Sequence, residues 1–405
     1  MNVLQFNVRL AEGGAAGVAL DLHQRALRQG IRSRFIYGYG KGGKQSESHA
    51  RISHVEKHTP RFTAMMNMAL FRVVNRDLFG HLNALYPQII AAQGPVALHF
   101  HVLHSYWLSF KSVVRFCQRV KRARPDAVLV WTLHDHWSVT GRCAFTDGCE
   151  GWRDGCKKCP SLDNYPPVKI DRAVREVAPK RALFRQLLAL DCRFISPSQH
   201  VAAAFNLLYG AGRCEVINNG VDISTEAILS TLPEREAEGQ RPKIAVVAHD
   251  LRYDGKTDQR LVREIIALGE RVEVHTFGKS SPFSGDNVVN HGFITDKQAL
   301  MSRLNQMDSL LFSSRVDNYP LILCEALSIG VPVIATHSDA AREVLAKTGG
   351  KTCGAAQAVA WAQLPKSRLA DAIFGRSLAS FKAQAREAYS GQQMLEEYVR
   401  FYQGL

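Results

Sequence analysis

Long apolar runs are missing from this 405-residue chain. No stretch of about 18 apolar residues occurs, so no membrane-spanning helix is expected. Cysteine is scarce and odd in number, nine in all, which fits a reduced, cytosolic chain better than a disulfide framework. The opening MNVLQFNVRLAEGG lacks the basic region, apolar stretch and small-residue cleavage site of a secretory signal, and none is expected. Internal repeats and low-complexity tracts are lacking too. At 46% hydrophobic and 22% charged residues, disorder and fibrous architectures are excluded. The length suggests two or three domains.

Acidic residues are short in one half only. The chain carries 51 Lys and Arg against 37 Asp and Glu, a formal charge of +14. Residues 1–200 hold 29 basic and 14 acidic residues, whereas residues 201–405 hold 22 and 23. A basic face attracts anions such as nucleic acid, anionic lipid headgroups or phosphorylated substrates. The plainer alternative is a surface made soluble by Lys and Arg.

The pattern of elements is clear at the start. Val3 to Val8 reads as a strand, Glu12 to Gly17 as a glycine loop, Val18 to Leu27 as a helix and Phe35 to Tyr37 as the next strand. This is the repeating unit of a parallel α/β sheet. Further strands are expected at Val96–Phe100, Ala127–Leu133 and Arg193–Ser196, with a helix at Ser112–Arg122. The pattern restarts at Lys243–Val247 and continues through a helix at Asp258–Leu268 and strands at Val272–Phe277, Ser309–Ser313 and Val331–Ala335. Two Rossmann-like domains follow. The polar, Pro-bounded segment Leu232–Pro242 is expected to be an exposed loop near their junction, and Gly391–Tyr402 an amphipathic helix with Met394, Leu395, Tyr398 and Phe401 on one face. The Met-rich, Arg-bounded stretch Arg61–Arg76 is either a core helix, the favoured reading, or a helix lying on a bilayer surface.

The strongest chemical signal is Asp317-Asn318-Tyr319-Pro320-Leu321 leading to Glu325, with Gly330-Val331-Pro332 ending the helix. Such a helix start aims N–H groups at a phosphate. Asp317 can then meet a polar ligand and Glu325 a diol; alternatively, Asp317 caps the helix and Glu325 is solvated.

This segment resembles the acid-x7-acid motif of the retaining glycosyltransferases of family 4, with Asp where Glu is usual. The resemblance implies a GT-B fold of two Rossmann-like domains facing across a cleft, here 1–222 and 223–388, with 389–405 crossing back to the first. It implies that Asp317 faces the donor sugar, that Pro320 and Leu321 belong to the donor site, and that Glu325 binds the ribose hydroxyls. Gly13 and Gly14 match the loop approaching the donor diphosphate, and the strand-end His134-Asp135 pair places His134 beside the donor sugar. Val247 to Lys256 resembles the segment supplying diphosphate-binding cations; Lys256 is the match and Arg252 the second candidate, with Gly255 where Arg or Glu is common. Ser196-Pro197-Ser198 and Asn218–Asp222 match the passage between the domains. Within the family, the chain resembles members that build exopolysaccharide of the colanic acid kind. That implies transfer of a hexose, galactose, from a UDP-sugar to a polyprenyl-diphosphate-linked oligosaccharide at the inner membrane, on an anionic surface, with no metal required for catalysis.

Cys143, Cys149, Cys156 and Cys159 cluster in GRCAFTDGCEGWRDGCKKCP, an insert at 141–160. The Cys-x2-Cys knuckle suits a structural zinc and the Cys-x5-Cys pair is looser, so metal ligands and free thiols both stay open. Cys117, Cys192, Cys214, Cys324 and Cys353 are expected in the core. Two other readings compete. A nucleic-acid-binding protein with a metal site would need a recognition helix or interleaved aromatics, and none is evident. A GT-B nucleotide-sugar epimerase lacks the acid-x7-acid element.

Overall fold

The computed structural model describes residues 1–40, 52–232 and 241–404. Residues 233–240 of the expected junction loop lie outside the described residues. The chain divides into two compact units, Met1–Asn218 with Gln392–Leu405, and Asn219–Gly391.

The first unit is built on a parallel sheet of strands β1 (Asn2–Asn7), β2 (Arg32–Tyr37), β3 (Val55–Lys57), β4 (Val96–Phe100), β5 (Val128–Thr132), β6 (Cys192–Ser196) and β7 (Cys214–Val216). Their order is β3-β2-β1-β4-β5-β6-β7. The strands are near-continuous apolar runs because helices cover both faces, and β4 is buried along its whole length. The order reverses between β1 and β4, and ligands of such sheets gather at the carboxyl ends beside the reversal. Both the glycine loop after β1 and the histidine-rich segment after β4 leave from that point. The helix after β1 begins at Gly14, four residues before the expected Val18. Gly13 is its N-cap, at a φ of 94° that side-chain-bearing residues rarely adopt.

In the second unit the strands are β8 (Lys243–Asp250), β9 (Glu273–Lys279), β10 (Val288–Asn290), β11 (Ser309–Phe312) and β12 (Val333–Ala335). They form a parallel sheet in the order β10-β9-β8-β11-β12. Its reversal lies between β8 and β11, so the segments that follow these two strands, 251–258 and 313–320, flank the natural ligand position. Gly220 sits where a Cβ would come within 2.4 Å of the Gly391 backbone, so glycine is required at that approach.

The final helix, Gly391–Tyr402, buries Met394, Leu395, Tyr398 and Tyr402. Each such side chain contributes about 1.5–3 kcal/mol. The helix is tied to the first sheet by hydrogen bonds. Tyr398 Oη lies 2.9 Å from Thr132 Oγ1, and Tyr402 Oη lies 2.8 Å from His99 Nδ1.

The helix Arg61–Val74 departs from the favoured core reading. Only Ala64, Asn67 and Phe71 are buried on it. Asn67 accounts for part of this, because its side chain accepts from the Leu78 and Phe79 amides and donates to the Phe79 carbonyl. A narrow, partly polar stripe fastens the helix, and its Met face is left in solvent. No helix among the described residues is long and apolar enough to cross a membrane.

Candidate active site

In the second unit two acid–base pairs flank the sheet reversal. After β8, the turn carrying Lys256 is held by backbone bonds from Lys256 and Thr257 amides to the Tyr253 carbonyl. After β11, Asp317 leads to the helix Leu321–Ser328, whose N-cap is Pro320 with no side-chain cap bond. Asp317 therefore does not cap the helix; its Oδ1 lies 2.5 Å from Lys256 Nζ. Glu325 is not solvated either. It is 5% exposed and accepts from Lys297 Nζ. Lys297 also reaches Asp222 Oδ2 at 3.5 Å. Burial works to lower the Lys297 ammonium, but Glu325 and Asp222 outweigh it and hold it above its usual value. Leu321 is half-buried and Pro320 buried at the helix start. Arg252 is exposed, its amide bound to Asp250 Oδ1 at 3.0 Å.

The arrangement brings together Lys256 with Asp317, and Glu325 with the unanticipated Lys297 and Asp222. Lys297 opens the helix Lys297–Asn305, whose N-cap Asp296 accepts from Ala299 N–H. Sequence spacing gave no hint of Lys297, since it pairs across the fold with a residue 28 positions later.

The first unit presents a histidine chain at the ends of β4 and β5. Turned as its neighbours require, the Gln5 amide donates to His101 Nε2 (3.2 Å) and to the Ala19 carbonyl (3.0 Å). His101 Nδ1–H therefore donates to His134 Nε2, 3.0 Å away, which puts the His134 proton on Nδ1. Burial pushes the His134 imidazole down to about 4, and Asp135 offsets this only in part. Burial also holds His99 and His101 well below the usual histidine value. The ring is thus neutral at physiological pH, with its tautomer set from behind. Asp135 is held separately: its Oδ2 lies 2.9 Å from His104 Nε2, and its Oδ1 accepts the Trp137 amide at 2.9 Å. Burial alone would raise the Asp135 carboxyl, but His104 and the Trp137 amide hold it below the usual range. Gly13 and Gly14 are exposed at the open start of a 15-residue helix with no acidic residue in its first turn, a ready anion-binding end. Two successive residues beside this region, Ser105 and Tyr106, have φ of 77° and 76°. Their strain is held by Asp77, whose Oδ1 accepts the Tyr106 amide at 2.9 Å.

Comparison with known proteins shows the family and the fold. The model described as Glycosyltransferase Family 4 matches residues 12–225, more than half of the chain. The chain belongs to glycosyltransferase family 4. A second model, Glycosyl transferases group 1, matches residues 212–371. The chain is 72% identical over 406 residues, covering all of both chains, to the Escherichia coli strain K12 protein assigned to colanic acid biosynthesis as glycosyl transferase WcaC. Among solved structures it resembles a glycosyltransferase from Rickettsia africae, at 14% identity, TM-score 0.61, and 100% and 98% of the two chains. It also resembles WaaG, a glycosyltransferase involved in lipopolysaccharide biosynthesis, at 12% identity, TM-score 0.56, and full coverage of both. These structures share the GT-B fold.

Two further cavities lie within the first unit of this family 4 glycosyltransferase. One, of about 480 Å³, is lined by Phe71, Leu78, Phe110 and Trp137 with the cations Arg76, Lys111 and Lys180 and the acids Asp77 and Glu176. Lys180 Nζ donates to the Trp137 and Thr140 carbonyls, both at 2.9 Å, and burial lowers it to about 7. The other, of about 30 Å³, is lined by all four insert cysteines. Gly141 N–H donates to Cys156 Sγ at 3.2 Å, and the fully buried Arg142 donates to Cys159 Sγ at 3.3 Å. Burial raises the Cys143 thiol to about 11 and also raises Cys156. Among the described residues no three Cys, His, Asp or Glu side chains are grouped so as to hold a metal as they lie. A tetrahedral thiolate site would need the sulfurs to turn inward about the small void. The other five cysteines are buried.

Proposed function

We propose that the chain is a retaining glycosyltransferase moving a galactose from a UDP-sugar to a polyprenyl-diphosphate-linked oligosaccharide in colanic acid biosynthesis. The observation that carries this reading is the pair of acid–cation contacts, Lys256 with Asp317 and Lys297 with Glu325, at the sheet reversal of the second unit. The full-length identity to a protein assigned to that pathway supports the polymer. Lys256 would neutralise the charge on the departing diphosphate, with Arg252 as a second cation. Glu325 would accept hydrogen bonds from both ribose hydroxyls, and Asp317 would meet the donor sugar once Lys256 turns to phosphate. The neutral His134 would offer a hydrogen bond to the sugar. The new bond would form on the face that the diphosphate leaves, with the leaving oxygens taking the acceptor proton. The amphiphilic 480 Å³ cavity, with Lys111 and Arg76 at an apolar wall, suits a lipid diphosphate.

A donor screen tests the reading. Purified protein is given a synthetic polyprenyl-diphosphate oligosaccharide and each UDP- or GDP-sugar in turn. Transfer is expected from UDP-galactose, with the anomeric configuration retained in the product. Lys256→Ala should abolish it while the protein stays folded. Turnover with a GDP-sugar only, inversion in the product, or near-normal turnover by the Lys256 variant would each overturn the corresponding part.

A further inference from the structure

Of the fourteen large apolar side chains exposed among the described residues, seven fall between Phe62 and Phe79. Phe62 is 71% exposed and Met65 52%. Met66, Met68, Val73, Leu78 and Phe79 complete the set. The surface continues onto a neighbouring segment, where Ile170 and Val174 are also exposed. The two segments are joined by hydrogen bonds from Lys169 N–H to the Arg72 carbonyl (2.7 Å) and from Asn75 Nδ2 to the Ile170 carbonyl (2.9 Å).

The charges at this surface are mostly basic: Arg76 meets Glu176 at 3.6 Å and Asp171 is exposed beside Ile170, but the helix itself carries only cations. Residues 61–76 carry Arg61, Arg72 and Arg76 and no acidic residue, and all three arginines are exposed. The next acid, Asp77, is buried beneath the strained Ser105–Tyr106 turn. A second copy of the chain docked by a two-fold would set this arginine rim against itself. Flexible methionines with a rim of cations fit an anionic bilayer, where the apolar groups enter the acyl boundary and the guanidinium groups stay with the phosphates.

We propose that the exposed face of the helix Arg61–Val74, with Leu78 and Phe79, is a docking surface for an anionic phospholipid bilayer. The proposal stands apart from the donor and acceptor named above, since it concerns adhesion and not transfer. It gives a role to three of the 29 basic residues in the first 200 positions. It also sets the 480 Å³ cavity, which shares Arg76 and Leu78 with the surface, at the membrane.

Co-sedimentation of the full chain with vesicles is the test. Wild type should bind phosphatidylglycerol-containing vesicles and bind phosphatidylcholine vesicles much less, with the difference shrinking as salt rises. The triple change Phe62→Ser, Met65→Ser and Met66→Ser should weaken binding at least about tenfold. A separate Arg61→Glu, Arg72→Glu pair should remove the preference for anionic lipid. Both variants should keep the wild-type thermal midpoint, because the altered side chains are exposed. Failure of wild type to bind anionic vesicles, or equal binding by the triple variant, would overturn the proposal. So would a concentration-dependent dimer, seen by light scattering, that the triple change abolishes.

Discussion

If Glu325 reads the ribose, changing it to Gln should weaken nucleotide binding by an amount set by charge-assisted hydrogen bonds. Such a bond contributes about 1.5–3 kcal/mol. Replacing the carboxylate by a neutral amide of the same shape should therefore cost about 1.5–3 kcal/mol, or roughly ten- to hundred-fold in UDP affinity. The fold should survive, because Lys297 is not stranded: Asp222 stays 3.5 Å from its ammonium. Titration calorimetry with UDP and with 2′-deoxy-UDP, on wild type and Glu325→Gln, makes a four-cornered cycle. Wild type should lose affinity when the 2′-hydroxyl is removed, and the variant should lose little more. If the two losses simply added, Glu325 would not touch the ribose. Unchanged UDP binding by the variant would refute the reasoning outright.

Three other outcomes are expected. Folded His134 and His136 are both held down to about 4 by burial, so the unfolded chain takes up protons that the folded chain refuses as pH falls below about 6.5. The stability present above that pH should be lost progressively toward pH 4, by about 3 kcal/mol for His134 alone, which denaturant titrations across that range measure. Protein purified without chelator, analysed by mass spectrometry of the metal, should carry one zinc if the insert sulfurs turn inward; less than one equivalent in folded protein counts against a structural metal. Gly220→Ala should lower the thermal midpoint, since the new methyl would meet the Gly391 backbone 2.4 Å away.

The parallel sheets were legible because buried strands are written as apolar runs, and the strands expected at Val96–Phe100 and Ala127–Leu133 fall within a residue of the observed Val96–Phe100 and Val128–Thr132. The glycine loop was found but its helix start was not. Periodicity begins at the first apolar residue, whereas Gly13 and Gly14 enter the helix through backbone geometry alone. Asp317 and Glu325 stood out by spacing. Lys297 did not, because a partner chosen by folding leaves no mark on the local sequence. The Met-rich helix misled for a different reason: hydrophobic spacing tells that a face is apolar but not whether anything covers it. Asn67, which fastens the helix by three of its side-chain bonds, was one polar position in an apolar stripe.

The near-neutral balance of the second half now has a physical account at its centre. In that unit two lysines of the candidate site are already answered by carboxylates: Lys256 by Asp317, Lys297 by Glu325 and Asp222. On the proposed function, a diphosphate arriving beside Lys256 would compete with Asp317 for it, and a ribose arriving at Glu325 would compete with Lys297. Binding would therefore exchange ion pairs at these two lysines. Such exchange gives little affinity to a bare anion, because the displaced carboxylate opposes it. It favours a ligand that satisfies both partners at once, a phosphate for the lysine and a hydroxyl for the acid. The same logic separates the halves of the chain. The excess positive charge lies in the first 200 residues, where Arg61 and Arg72 stand exposed on the helix Arg61–Val74, and where attraction to a broad anionic surface needs no such selectivity.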